Sequence, residues 1–143
     1  MIGQIIGEIP ATIQHPAQYF HERGCFVDCR GDVRIDATAM FGYEVKILSA
    51  SHDIHEGLGP QVDRRVWIDQ GAWIASFSIL CGCWIQHDAV VAAGSVVNGV
   101  IVPSYSMVQG NPARVVASYD LGTKRWIRLP VHLDLERWPD RRV

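Results

Sequence analysis

The sequence predicts an all-β fold, a parallel β-helix of six-residue repeats, on three observations. An aliphatic or aromatic residue recurs about every six positions: Ile35, Phe41 and Ile47, then Ile68, Ile74, Ile79, Ile85, Val91 and Val97. Four residues after most of these beats stands a small or β-branched residue, namely Ala39, Val45, Ser51, Ala72, Ser78, Ala89 and Ser95. The position just after the beat is often small or acidic, as at Asp36, Gly42, Asp69, Ala75 and Ala92. A strand alternates with period two and a helix with 3.6, so neither alone produces a six. Short strands joined by tight corners do. Residues at the beat and four later point inward and stack, while Gly, Ala, Asp and Asn turn the corners at low cost. Three hexads then close one triangular coil of about 18 residues. The step from Ile74 to Ile79 is five, which places a shortened or bulged face there.

The 143 residues read as a single domain. Residues 1–32 form an N-terminal cap and first coil, irregular except for a short helix expected within Gln14–Gly24, "QHPAQYFHERG". Residues 33–116 carry the β-helix, broken by a loop at 52–65. Its first residues, in "SASHDIHEGLGP", gather His52, Asp53, His55 and Glu56. Residues 117–143 form an irregular C-terminal tail that has lost the beat and carries Trp126 and Trp138 among arginines. A bare solenoid leaves sheet edges uncovered, so this tail is expected to fold back over the coils or a neighbouring subunit.

An apolar fraction of 48% and a formal net charge of −2 argue against a polyanion-binding surface, hence against a nucleic-acid partner. The start, "MIGQIIGEIP", lacks the cationic region and long apolar core of a signal peptide. The longest apolar stretch, "AWIASFSILCGCWI", stops short of a membrane span, so a cytoplasmic protein without a membrane partner is expected. Cys25 and Cys29 form a C-x3-C and Cys81 and Cys83 a C-x-C. Neither spacing matches a zinc pair, and the four read as small buried fillers with no metal.

The stretches "ILSASHDI", "VWIDQGAWIASFSILCGCWIQHDAVVAAGSVV" and "GNPARVV", in that order, resemble the hexapeptide-repeat acetyltransferases. The resemblance runs from about Ile35 to Val116 and is nearest to sugar O-acetyltransferases of the maltose, galactoside, nodulation-factor and colanic-acid types. It implies a left-handed β-helix, a homotrimer, and acetyl-CoA lying along the coils in clefts between subunits. His52 falls on the family's catalytic histidine. Trp73 falls on the tryptophan lining the cleft near the reacting end. Ser76 and Ala93 fall on positions that touch the pantetheine arm, and Arg114 on a basic residue near the nucleotide of CoA. Asn98 and Gly99 stand where the family has Thr-Lys, so Asn98 takes the place of a CoA contact, and Ala117 replaces a second basic residue. The galactoside and maltose enzymes use an asparagine upstream of the histidine, and none stands between Met1 and His52. Their N-terminal helical region is missing as well.

Acetyl transfer from a thioester to a hydroxyl needs a base at neutral pH, and histidine is the side chain suited to take that proton and return it to the departing thiolate. His52 is therefore the expected general base, acting on a small acceptor, a sugar or related hydroxyl compound. Asp53 is a candidate to orient it through the other ring nitrogen, and Asp53 and His55 are the candidate acceptor contacts. Three alternatives use the same scaffold. One acetylates an amino-sugar nucleotide or an antibiotic; another is a non-catalytic trimeric scaffold. The third is a metalloenzyme like the γ-carbonic anhydrases, using His52, His55 and His87, although an H-x-x-H pair in an extended loop does not match that family's ligands. Trp67 and Trp84 share Trp73's place before the beat, which puts them outward, towards a subunit interface.

Overall fold

The structure is a computed structural model, and it describes residues 2–57 and 59–142. The N-terminal end holds β1 (Gln4–Ile6), α1 (Ala17–Glu22) and β2 (Phe26–Asp28). The first full coil follows as β3 (Val33–Ile35), β4 (Met40–Phe41) and β5 (Lys46–Leu48). The chain then leaves the solenoid as a hairpin of β6 (Ala50–His52) and β7 (Gln61–Asp63), with a 3-10 turn at Ile54–Glu56. The second coil is β8 (Val66–Ile68), β9 (Trp73–Ile74) and β10 (Ile79–Cys81). The third is β11 (Cys83–Ile85), β12 (Val90–Val91) and β13 (Val96–Asn98). The fourth is β14 (Val100–Val102) and β15 (Ser106–Gly110). Equivalent strands stack in parallel to make three sheet faces, β1-β2-β5-β10-β13, β3-β8-β11-β14 and β4-β9-β12-β15. The fold is a left-handed parallel β-helix. Its parallel pairing reaches back before residue 33, since β1 and β2 extend the first face.

Register sets the coil length. Trp67 pairs with Trp84 and Trp84 with Ile101, so one coil takes 17 residues rather than 18. The shortened face is not where the beat placed it. Leu80 is fully buried whereas Ile79 is partly exposed, so the step from Ile74 is a full six. The short steps of five run from Leu80 to Ile85 and from Val97 to Val102. A single glycine turns each of these corners, Gly82 and Gly99, with φ of 53° and 68°, backbone that side chains rarely adopt. Ile79 and Leu80 are both apolar, so periodicity alone could not choose between them.

The core is a set of columns. Val27, Ile47, Leu80 and Val97 stack along one face and Phe41, Ile74, Val91 and Val108 along another, all buried. Ala39, Ala72, Ala89, Ser78 and Ser95 fill the corners, all buried. Ser51, expected among them, is exposed; the chain has already left the coil, and Ser49 is the buried serine. The expected N-terminal helix is α1, which lays Phe20 edge-on against Phe41, 5.5 Å between ring centres, and closes that end.

The tail is not irregular. β16 (Ala113–Asp120) pairs antiparallel with β15, and β17 (Arg125–Leu133) pairs antiparallel with β16, so the third face continues as a hairpin. β18 (Glu136–Arg137) then pairs with β14, and β19 (Arg141–Arg142) pairs with β7. Trp138 between them packs 5.1 Å from the Trp67 ring and 5.3 Å from the Trp84 ring. The tail of the same chain therefore covers the two tryptophans expected at a subunit interface. Among the described residues no helix is long and apolar enough to cross a membrane.

Candidate active site

The hairpin leaves and rejoins the solenoid at one corner, and a buried serine locks that corner. Ser49 Oγ accepts the Gly31 N–H at 2.9 Å and donates to the Asp28 carbonyl, while the Ser49 carbonyl accepts Arg64 N–H at 2.9 Å. From this base β6 and β7 pair in register, His52 opposite Gln61. Asp53 N–H donates to the Pro60 carbonyl at 3.1 Å, which closes the tip.

His52 is exposed on this hairpin, and its Nδ1 lies 2.9 Å from the Gly59 carbonyl oxygen. A carbonyl only accepts, so Nδ1 carries the proton in that bond, an assignment made from the partner. The neutral ring then has its lone pair on Nε2. His52 Nδ1 is thus bonded to a backbone carbonyl. Asp53 Oδ1 accepts the His55 N–H at 3.0 Å and caps the 3-10 turn.

A cavity of about 440 Å³ opens beside the hairpin, lined on one side by His52, Asp53 and His55. The other side is built by residues distant in sequence: Arg64, Asn98, Asp140 and Arg141. Arg64 is the hub. Its Nε donates to Asp140 Oδ1 at 2.8 Å, Nη1 to Cys81 Sγ at 2.8 Å and Nη2 to Asn98 Oδ1 at 2.7 Å. Arg141 Nη2 reaches both Asp63 Oδ2 at 2.7 Å and Asp32 Oδ2 at 3.0 Å. Burial pushes the Asp32 carboxyl up, but hydrogen bonds from Arg34, Trp67 and Arg141 more than reverse this and hold it below its ordinary value. The cations of the cavity therefore enter already paired with carboxylates.

Of the residues singled out from sequence, His52, Asp53, His55 and Asn98 meet at this cavity. Trp73, Ser76 and Ala93 do not line it. Trp73 stands 49% exposed on β9, in register between Met40 and Val90. Ser76 sits at the β9–β10 corner, where its Oγ accepts Tyr43 N–H, and Ala93 is exposed at the equivalent corner one coil on. Arg114 lies on β16, its Nε donating to Asp134 Oδ1 at 2.9 Å. His87 stands apart from the other histidines, edge-on to Tyr105 and 3.0 Å from Asp88. Arg64, Asp140, Arg141 and the Gly59 carbonyl were not singled out from the sequence; only the arginine-rich character of the tail hinted at the third.

No protein-family model matches the chain. Serine acetyltransferase 4 of Arabidopsis thaliana is 39% identical over 118 residues, covering 80% of this chain and 32% of that protein. The chain thus spans about a third of the length of the curated relatives it matches. Among solved structures, a maltose O-acetyltransferase from Clostridium difficile 630 superposes with a TM-score of 0.63 at 29% identity, over 68% of this chain and 54% of that one. A hexapeptide-repeat acetyltransferase of Vibrio cholerae solved with acetyl-coenzyme A shares the fold, with a TM-score of 0.52 at 24% identity over 67% and 57%. The chain is a hexapeptide-repeat β-helix, similar in fold and sequence to acetyltransferases.

Proposed function

We propose that the protein transfers an acetyl group from acetyl-CoA to a hydroxyl of a small-molecule acceptor, with His52 as general base. The observation that carries this reading is the Gly59 carbonyl on His52 Nδ1, which leaves Nε2 as the basic nitrogen of an exposed ring beside a polar cavity. Nε2 takes the acceptor's hydroxyl proton as its oxygen attacks the thioester carbonyl. The tetrahedral intermediate collapses, the C–S bond breaks, and the departing thiolate takes the proton from the imidazolium. The products are the acetyl ester and CoA thiol. Such proton transfer contributes typically 10²–10⁴-fold, the rest coming from alignment and donors to the oxyanion.

Trp73 lies on a different face from the one His52 leaves, and Ser76 and Ala93 sit at the corner between those two faces, away from the corner where the hairpin departs. In our reading a second copy of the chain brings the Trp73 face, and the CoA it holds, against the first copy's hairpin, as in a homotrimer. The exposed Met40, Tyr43, Trp73 and Phe77 on and beside that face support this, because a solvated monomer has no use for such a stripe. Similarity to the maltose enzyme favours a sugar acceptor. The 39% identity to serine acetyltransferase favours a second reading, the serine hydroxyl. Both place a hydroxyl at the same base.

The test is CoA thiol release from acetyl-CoA with a panel of sugars, nucleotide sugars and serine, for wild type and His52→Ala. Acceptor-dependent release that falls at least about a hundredfold in the variant is the expected result. Release unaffected by His52→Ala would remove His52 from the chemistry; absence of both release and acetyl-CoA binding would remove the activity.

A further inference from the structure

The hairpin that carries His52 has only two strands of its own, and an isolated two-stranded hairpin is marginally stable in water. Residues 136–142 supply what it lacks. They run as a strap from the fourth coil back to the hairpin, fastened at each step. β18 pairs with β14, and Trp138 N–H donates to the Gly99 carbonyl at 2.8 Å. Trp138 Nε1 donates to the Arg65 carbonyl at 3.2 Å, and Asp140 takes the Arg64 Nε bond. β19 then adds a third strand on the free edge of β7, with Arg141 opposite Asp63.

Two of these fastenings tie hairpin to solenoid rather than strap to solenoid. Arg141 bridges Asp63 on β7 and Asp32 at the entry to β3, so one guanidinium joins the excursion to the first coil. Arg64, at the return of the hairpin, is held by Asp140 on one side and by Asn98 and Cys81, from two successive coils, on the other. We propose that this strap is a positioning device for the candidate base, with Asp140 and Arg141 clamping the β6–β7 hairpin so that His52 stands at a set place beside the coils. The catalytic consequence rests on the acetyl-transfer reading above; the clamp itself does not. Asp140 and Arg141 stand across the cavity from His52, each paired with a charged side chain. They act through Arg64, Asp63 and the strand pairing that holds His52 opposite Gln61.

The experiment compares wild type with Asp140→Asn, Arg141→Gln and Arg141→Lys, reading steady-state kinetics and amide hydrogen exchange. A misplacement of about 1 Å can cost up to about a hundredfold in rate. Arg141→Gln is expected to lower kcat at least about tenfold with the KM for acetyl-CoA within about twofold. The backbone amides of the hairpin, Ser51 and Val62 among them, then exchange at least about tenfold faster while Val91 and Val97 of the coils keep their protection. Lysine carries the charge on a shorter side chain without the planar guanidinium whose Nη2 meets both carboxylates, so Arg141→Lys recovers only part of both effects. Wild-type kcat and wild-type hairpin exchange in both Asp140→Asn and Arg141→Gln overturn the proposal, as does equal acceleration of coil and hairpin amides. If wild type turns over no acceptor, the acetyl-transfer reading fails, and hairpin exchange still decides the clamp.

Discussion

Replacing Leu80 and, separately, Ile79 with alanine distinguishes two frames for the second coil, one with Leu80 inward and one with Ile79 inward. Leu80 has no exposed surface and sits in register between Ile47 and Val97, both equally enclosed. Alanine deletes three carbons, and at about 0.8 kcal/mol per buried methylene the transfer loss alone is about 2.4 kcal/mol. The columns above and below are pinned by strand pairing and cannot collapse into the gap, so a cavity contribution raises the expected cost to about 3–5 kcal/mol. Ile79 faces outward between Lys46 and Val96 and is partly exposed, so its truncation is expected to cost about 1 kcal/mol. Urea unfolding followed by tryptophan fluorescence measures both, at one fixed protein concentration because assembly would couple to stability. If Ile79→Ala costs as much as Leu80→Ala, the inward frame assigned to this coil is wrong.

Ser49→Ala removes the acceptor of the Gly31 N–H and the donor to the Asp28 carbonyl in a fully buried site, and is expected to cost about 1–3 kcal/mol in the same assay; a loss under about 0.5 kcal/mol would mean that the corner relaxes freely. Gly71→Ala puts a side chain on backbone with a φ of 68°, its Cβ against an Asp88 carboxylate that can swing aside, so thermal unfolding should show a loss of about 1–2 kcal/mol from the backbone, and an unchanged midpoint would contradict the left-handed conformation. At Asp28 burial pushes the carboxyl up, but hydrogen bonds from the Arg30 side chain and backbone more than reverse it, so its folded value lies below the unfolded one of about 3.9. Its contribution is present above about pH 3.9 and is lost as pH falls through the lowered folded value. Urea midpoints measured across that range should fall with acid less steeply in Asp28→Asn than in wild type, and parallel limbs would refute the linkage.

The hexad pattern is local, which is why so much of the solenoid was legible. Each coil repeats the same corner spacing, so Ile35, Phe41 and Ile47 announce their inward direction without reference to distant chain. The same locality exposed His52: a knot of ionisable residues breaking an apolar rhythm marks an excursion whatever packs around it. The positive-φ glycine corners that shorten each coil to 17 residues were obscured, because Ile79 and Leu80 offer two apolar phases and only the stacking on Ile47 and Val97 selects one.

The rest of the site depended on encounters between segments far apart in sequence, which no period encodes. Arg64 meets Asn98 and Asp140, and Arg141 meets Asp63 and Asp32, only because the tail reverses and crosses the coils. Trp67 and Trp84 were read as outward, and so they are, but the tail of the same chain supplies Trp138 to cover them. A backbone carbonyl, from Gly59, holds His52, and a carbonyl leaves no mark on residue identity. By itself the sequence determined the coil, its inward columns and the histidine that leaves it, since these follow from short-range spacing. Tertiary structure decided the phase of one coil, the partner of that histidine and the strap that closes the cavity, since these are contacts whose energy exists only once distant strands have paired.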